Sequence, residues 1–214
     1  MSRHAAGRPA SRLSRPHVPR PSPAQLGVGA LVVAALALGQ LLNQVLPGNE
    51  VTTRPFLVHS GLDDKAELRS GTVQVTAVRG SRAKERLASD PLVTSGLFVR
   101  IDFTYVPHGK PSGLSYAELH DGSGRVTEAG PFGDRTTISC PATQTDIRQL
   151  CTATFEADPL TLPGSSVRIA VSPNDQRFDS MLVADLEISR SDVTQWRASS
   201  LALPAGVAVV EGLS

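Results

Sequence analysis

Charge imbalance, aromatic side chains and cysteine are all scarce in this chain of 214 residues. Lys and Arg total 21 against 20 Asp and Glu, for a net charge of +1, so bulk positive charge of the kind that holds a nucleic-acid backbone is absent. One Trp, two Tyr and six Phe make only 4% of the residues, too few for an aromatic platform that stacks bases or sugars. Two cysteines and five histidines exclude a cysteine-rich scaffold and a multi-metal protein. The short signatures of common chemistries are missing as well. There is no G-x-S-x-G nucleophile elbow, no H-E-x-x-H, no C-x-x-C, no phosphate-binding G-x-x-x-x-G-K-[ST] and no N-x-[ST] sequon. Gly27 and Gly29 begin something like a dinucleotide loop but lack a strand before them. The 18 glycines and 16 prolines exceed the average share without reaching the level that marks low complexity.

What is present is unevenly placed. Residues 1–23 carry Arg3, Arg8, Arg12, Arg15 and Arg20, no acid, and prolines at 9, 16, 19, 21 and 23. A segment with so little apolar surface to bury is expected to be a disordered basic tail. No charge then occurs between Arg20 and Glu50, and residues 26–46 are mostly apolar. At about 1.5 Å per helical residue this run spans roughly 30 Å, the thickness of a bilayer core. A transmembrane signal anchor over 24–46 is therefore expected, in contact with the lipid bilayer through 26–46. The arginines place 1–23 in the cytoplasm and the rest of the chain outside it, in a single-pass membrane protein. Ala35-Leu36-Ala37 resembles a signal-peptidase site, so cleavage near Ala37 with release of the remainder is the alternative. Five of the 21 basic residues and none of the 20 acidic ones precede Asn49, which leaves 16 basic against 20 acidic residues in 49–214, a charge of −4. Residues 47–55, rich in turn formers and charge, read as a linker.

The outer segment has a β signature. Val73 and Val75 alternate with Thr72, Gln74 and Thr76, which predicts a strand over 72–78 with one buried face. Leu97, Val99, Ile101, Phe103 and Tyr105 alternate with Arg100, Asp102 and Thr104 in the clearest strand of the chain. Further strands are predicted over 115–120 and 125–129, joined by the tight turn Asp121-Gly122-Ser123-Gly124. The pair 135–140 and 151–156 follows, then 166–171, 181–188 and 206–210. No stretch outside the membrane segment has convincing helical periodicity, and Lys84–Leu87 reads at most as one helical turn in a loop. Short strands between Gly, Pro, Asp and Ser turns predict an antiparallel β-sandwich over 56–190. Residues 191–214, with the only tryptophan, Trp196, are expected to pack on it as an extension, the ring plugging one end.

Cys140 and Cys151 are expected to form a disulfide, since both lie on the extracytoplasmic side of this topology, where such bonds persist. A two-cysteine metal site is the rival, and it lacks a nearby histidine, the closest in sequence being His120. His59, His108 and His120 are dispersed and suggest no triad. Asp63-Asp64, Asp121 and Asn174-Asp175 have none of the regular spacing of a calcium loop and read as turns, because Asp and Asn bond their own backbone there. Arg79, Arg82, Lys84 and Arg86 form a local basic run, either a solvated loop or a contact for anionic wall polymers or lipid headgroups.

The stretches Gly71–Arg79, Gly96–Tyr105, Leu119–Gly130, Cys151–Pro163 and Leu182–Ile188 together resemble the Ig-like extracytoplasmic domains of high-GC Gram-positive bacteria, related to the mycobacterial immunoprotective secreted antigen. The similar order is an opening V-x-V strand, a long strand after a glycine, a D-x-G-R hairpin and a late closing strand, covering roughly 55–190. Val106-Pro107 departs from it where an Asn commonly follows the long strand, and the tail after 190 is additional. The resemblance implies an Ig-like β-sandwich at the cell envelope and brings no catalytic residues.

These readings converge on a membrane-tethered, non-catalytic extracytoplasmic binding module without cofactor or metal. Its partner is an envelope protein or wall polymer and not a nucleic acid. A secreted, antigen-like structural protein and a cell-wall hydrolase are the alternatives.

Overall fold

A computed structural model describes residues 33–41, 55–86, 89–172 and 180–210. Residues 33–41 are helical and exposed. No helix among the described residues is long and apolar enough to cross a membrane. The rest of the expected span, the basic tail 1–23 and most of the linker lie outside the described residues.

The described residues from 55 onward form an all-β sandwich of two sheets. Its strands are β1 (Phe56–Ser60), β2 (Lys65–Leu68), β3 (Gly71–Arg86), β4 (Ser89–Pro107), β5 (Tyr116–His120), β6 (Val126–Ala129), β7 (Thr137–Ser139), β8 (Gln149–Ala157), β9 (Ser166–Ala170), β10 (Ser180–Asp185) and β11 (Val209–Val210). The first sheet has the order β1-β10-β9-β5-β6, and β1 runs parallel to β10 while its other pairs are antiparallel. The second has the order β11-β8-β4-β3-β2, and β7 adds to β8 beside β11.

Alternation decides which face of each strand is buried. Leu97, Val99, Ile101, Phe103 and Tyr105 of β4 enter the core with Cys151, Ala153 and Phe155 of β8. From the other sheet come Ala117 and Leu119, Val167 and Ile169, Leu182 and Ala184. The opposite face of β4 carries an ion network. Arg100 Nε donates to Asp102 Oδ1 at 2.6 Å, and Arg79 of β3 lies 3.6 Å from the same carboxylate.

β1 and β2 are strands where none was expected, and β1 pairs in parallel within a sandwich expected to be antiparallel; two further elements also differ from the sequence reading. The expected turn at Lys84 belongs to the long β3–β4 hairpin, whose register breaks between Val75 and Ala77, Ser81 and Ala83, and Lys84 and Arg86. Such bulges bend a ribbon, and a bent hairpin keeps strand geometry where its apolar alternation is lost. Leu87 itself lies outside the described residues. The second difference is a helix, α1 (Arg190–Ala198), where none was expected. Ser189 caps it by accepting from the Asp192 amide, and Asp192 answers by accepting from the Ser189 amide, a capping box. Only Val193 of α1 is buried, with Trp196 half-buried beside it, so the apolar stripe is too thin to register as periodicity.

After α1 the chain runs back along the polar face of the second sheet. Ser81 Oγ donates to the Leu201 carbonyl at 2.5 Å, Leu203 and Ala83 join through a backbone bond of 2.8 Å, and Arg100 Nη1 donates to the Pro204 carbonyl at 3.0 Å. Val209 and Val210 then pair with Leu150 and Gln149. Phe98, Thr152 and Thr154 lie on that face and are buried, and this strap approaches Thr152 so closely that a Cβ at Gly206 would meet its Oγ1 at 2.6 Å.

Candidate functional site

Cys140 and Cys151 are disulfide-bonded, with an S–S distance of 2.07 Å. The bond joins the end of β7 to β8 one step beyond their paired residues, Ser139 and Thr152. Both half-cystines are buried, which makes this a structural cross-link with no exposed thiol chemistry.

The dispersed histidines stay apart. His59 lies exposed on β1, and His108 is in an exposed cluster, with Nε2 2.9 Å from Thr72 Oγ1 and Nδ1 3.4 Å from Asp146. His120 joins Tyr116 and Glu118, because residues two apart on β5 share a face. The Tyr116 hydroxyl donates to Glu118 Oε1, and His120 Nε2 lies 2.7 Å from Oε2. Burial alone pushes the Glu118 carboxyl up, but the hydrogen bonds from Tyr116 and His120 outweigh it and hold the group below its ordinary value. Burial and the Glu118 contact raise the Tyr116 phenol, which keeps it protonated. Arg168 stands opposite Glu118 on β9, and with Tyr116 and His120 it favours the ionised carboxylate, while the acidic Glu128 stands opposite it on β6. A carboxylate held ionised in this way is a poor proton donor.

The Asp121 carboxylate is occupied by the backbone of its own turn. Asp121 Oδ1 accepts from the Ser123 and Arg125 amides, both at 2.9 Å, and Arg125 Nε reaches its other oxygen at 3.2 Å. Asp63 adopts a positive φ of 62° in its turn. Among the described residues no group of three or more His, Cys, Asp or Glu side chains is placed to hold a metal ion. Asn174 and Asp175 lie outside the described residues.

The basic run divides. Arg79 pairs with Asp102, Arg86 with Asp134 at 3.4 Å, and Lys84 is buried with Nζ donating to the Asp134 carbonyl at 2.8 Å. Burial lowers the Lys84 amine and the nearby Asp134 charge only partly offsets it. Arg82 alone has no hydrogen bond or ion pair among the described residues. It lines an open cleft of about 660 Å³ with Arg190 and Arg197, whose guanidiniums likewise have no partner among the described residues. Arg190 and Arg197 are seven apart on α1 and therefore share a helix face, with Thr194 between them. The facing wall is the loop between β8 and β9, with Pro159, Pro163 and Leu160, the last 84% exposed. Trp196 does not enter the cleft. Its ring lies against Gly80, where an added Cβ would meet Cε3 at 2.3 Å, and this packing seats α1 on β3.

The contrast with the adjoining cleft, which shares Pro159, is informative. There Arg125 pairs with Asp121 and Asp158, and Arg135 with Glu156 at 2.7 Å, so the charges neutralise one another. In the α1 cleft three exposed guanidiniums have no partner among the described residues. Arg190 also stands in the first turn of α1, where a cation opposes the helix dipole. Such an arrangement is suited to receiving an anion.

Sequence reading singled out Arg82 but missed its two companions. The signal was available in Ser189-x-x-Asp192, an N-cap pattern that starts a helix and puts Arg190 and Arg197 on one side of it.

The cleft lies at a defined end of the sandwich. Phe56 pairs with Ser180 and Ser60 with Ala184, so β10 begins at the end where the chain enters β1 and finishes at the other. Both α1, which follows β10, and the loop from β8 to β9 belong to that far end. No protein-family model, curated protein or solved structure matches the chain.

Proposed function

We propose that the chain is a membrane-tethered binding module of the bacterial cell envelope, with an extracytoplasmic Ig-like sandwich that engages its ligand at the α1 cleft and performs no catalysis. The observation that carries this reading is the set of three guanidiniums without a partner among the described residues, Arg82, Arg190 and Arg197, on one cleft at the end of the sandwich opposite chain entry. The charge-free run after an arginine-rich tail supports the tether and its orientation. The Cys140–Cys151 bond supports an oxidising compartment. The two-sheet order supports the Ig-like assignment.

A photo-crosslinking residue at Leu160 in the full-length chain tests the cleft in intact cells, with one at Lys110, which does not line it, as the control. We expect adducts at Leu160 that disappear when Arg82, Arg190 and Arg197 are all changed to Gln. Equal labelling at both positions, or labelling indifferent to the three arginines, removes the cleft from the reading. The intact mass of the same protein tests the tether. A full-length mass in washed membranes is expected, whereas a mass beginning near Leu38 in the medium would mean release after cleavage.

A further inference from the structure

We infer that the α1 cleft takes an elongated polyanion, specifically a linear phosphodiester polymer whose phosphates are separated by uncharged polyol or sugar units. The inference rests on the binding-module reading and adds the chemistry of its ligand.

Spacing is the first argument. Arg190 and Arg197 are separated by seven residues of helix, about 10.5 Å along the axis at 1.5 Å per residue. Successive charges on a chain can engage both guanidiniums at that spacing, whereas a single small anion must draw the two side chains together. Arg82 approaches from β3 rather than from the helix, so the donors converge from different elements and directions. Tetrahedral phosphate accepts from several directions out of one plane, while a carboxylate accepts its bidentate fork within its own plane.

The lining between the charges is the second argument. Leu160, Pro163 and Val193 offer apolar contact, and Thr194 Oγ1 is already committed to the Arg190 carbonyl at 2.9 Å. The cleft therefore rewards an uncharged carbon segment between anionic groups. It has no aromatic side chain on which a base could stack, which separates the expected polymer from a single-stranded nucleic acid.

Net charge is the third. Segment 49–214 carries −4 overall, so general attraction to a polyanion is unfavourable and binding must come from the local cluster. Removing that cluster should abolish it.

The test is titration of the purified full-length chain, with Arg3, Arg8, Arg12, Arg15 and Arg20 of the basic tail changed to Gln so that only the cleft cluster is read, using a fluorescent glycerol-phosphate oligomer with glycerol 3-phosphate and inorganic phosphate as single-charge competitors. We expect saturable oligomer binding, with competitors at least about ten-fold weaker because each satisfies fewer charge-assisted bonds. The logarithm of the binding constant should fall with the logarithm of salt at a slope of about −2, from three contacts at roughly −0.7 each. The R82Q/R190Q/R197Q variant should lose binding and flatten the slope, and all three positions are exposed, so the fold is preserved. Lys110→Gln should change nothing. Absence of oligomer binding, or binding that survives in the triple variant, overturns the inference. If inorganic phosphate binds as well as the oligomer, the site is a simple anion site and the polymer is wrong. Arginine-dependent crosslinks at Leu160 without oligomer binding would sink the polymer while leaving the binding-module reading in place.

Discussion

Gly80 and Trp196 decide at the level of single residues whether the cleft exists. Gly80 sits in β3 where the indole ring of α1 lies flat against the backbone, and a Cβ there would come within 2.3 Å of Cε3 and 2.4 Å of Cδ2. A ring cannot give way as the tip of a flexible side chain would, so α1 must lift. Gly80→Ala is expected to cost about 1–3 kcal/mol, the range for overpacking a filled site. Because the chain has a single tryptophan, its fluorescence reports the event directly. The emission should shift to the red as the ring gains solvent, and the urea midpoint should fall. In a Trp196→Ala background the same glycine substitution should cost much less, since the partner of the clash is gone. Additive effects in that cycle would show that the strain lies elsewhere in β3. Lys84 is a different case at the same scale. Its position in a basic run suggests a surface charge, but strand bending turns it inward onto the Asp134 carbonyl.

The elements show where the sequence is readable and where it is not. β4 was visible because Leu97 through Tyr105 alternate without interruption, and the β5–β6 hairpin because Asp121 to Gly124 can only be a turn. β1 and β2 were not visible. Phe56 and Leu57 are exposed at the sheet edge, and β2 offers only Ala66 and Leu68 to the core, so neither has a strong two-residue period. The strap after α1 was hidden for another reason: its bonds to Ser81, Ala83 and Arg100 are tertiary contacts that no local pattern records. The site followed the same rule. Arg82 is conspicuous in its run, whereas Arg190 and Arg197 become a pair only once α1 is recognised. The disulfide was legible from compartment and number. It also carries an element-level prediction, because β7 has only three residues and depends on β8 for its place. Changing both cysteines to Ser should lower stability by somewhat under about 3 kcal/mol, the chain-entropy value for a loop this short. Hydrogen exchange should rise first in 137–140, with β3 and β4 still protected. Uniform loss of protection would mean that the bond holds the whole sandwich and not one strand.

The charges of the whole molecule set its response to acid. Four carboxylates in separate parts of the sandwich are held below their ordinary values. Burial opposes ionisation of Glu118, Asp121 and Glu156, but donated hydrogen bonds prevail: from Tyr116 and His120, from Ser123, Thr161 and the Arg125 amide, and from Thr94 and Arg135. Asp192 is lowered by the side chain and amide of Ser189 in the helix cap. Since the folded-state values lie below the unfolded ones of about 3.9 for Asp and 4.3 for Glu, the unfolded chain takes up more protons on acidification. The stability these groups supply is fully present above about pH 5 and is lost as the pH falls through the folded-state values. The urea midpoint should therefore be flat from about pH 5 to 8 and should drop steeply below about pH 4. Asp121→Asn tests the largest contributor, because Asn keeps an oxygen for the Ser123 and Arg125 amides while removing the charge. Its acid limb should be shallower than that of the parent, and its stability at neutral pH lower. Parallel limbs would remove Asp121 from the account. The α1 cleft should behave differently over the same range. Guanidinium groups and phosphodiesters both keep their charge between about pH 5 and 8, so polymer binding should depend on salt and remain constant with pH until the sandwich itself begins to unfold.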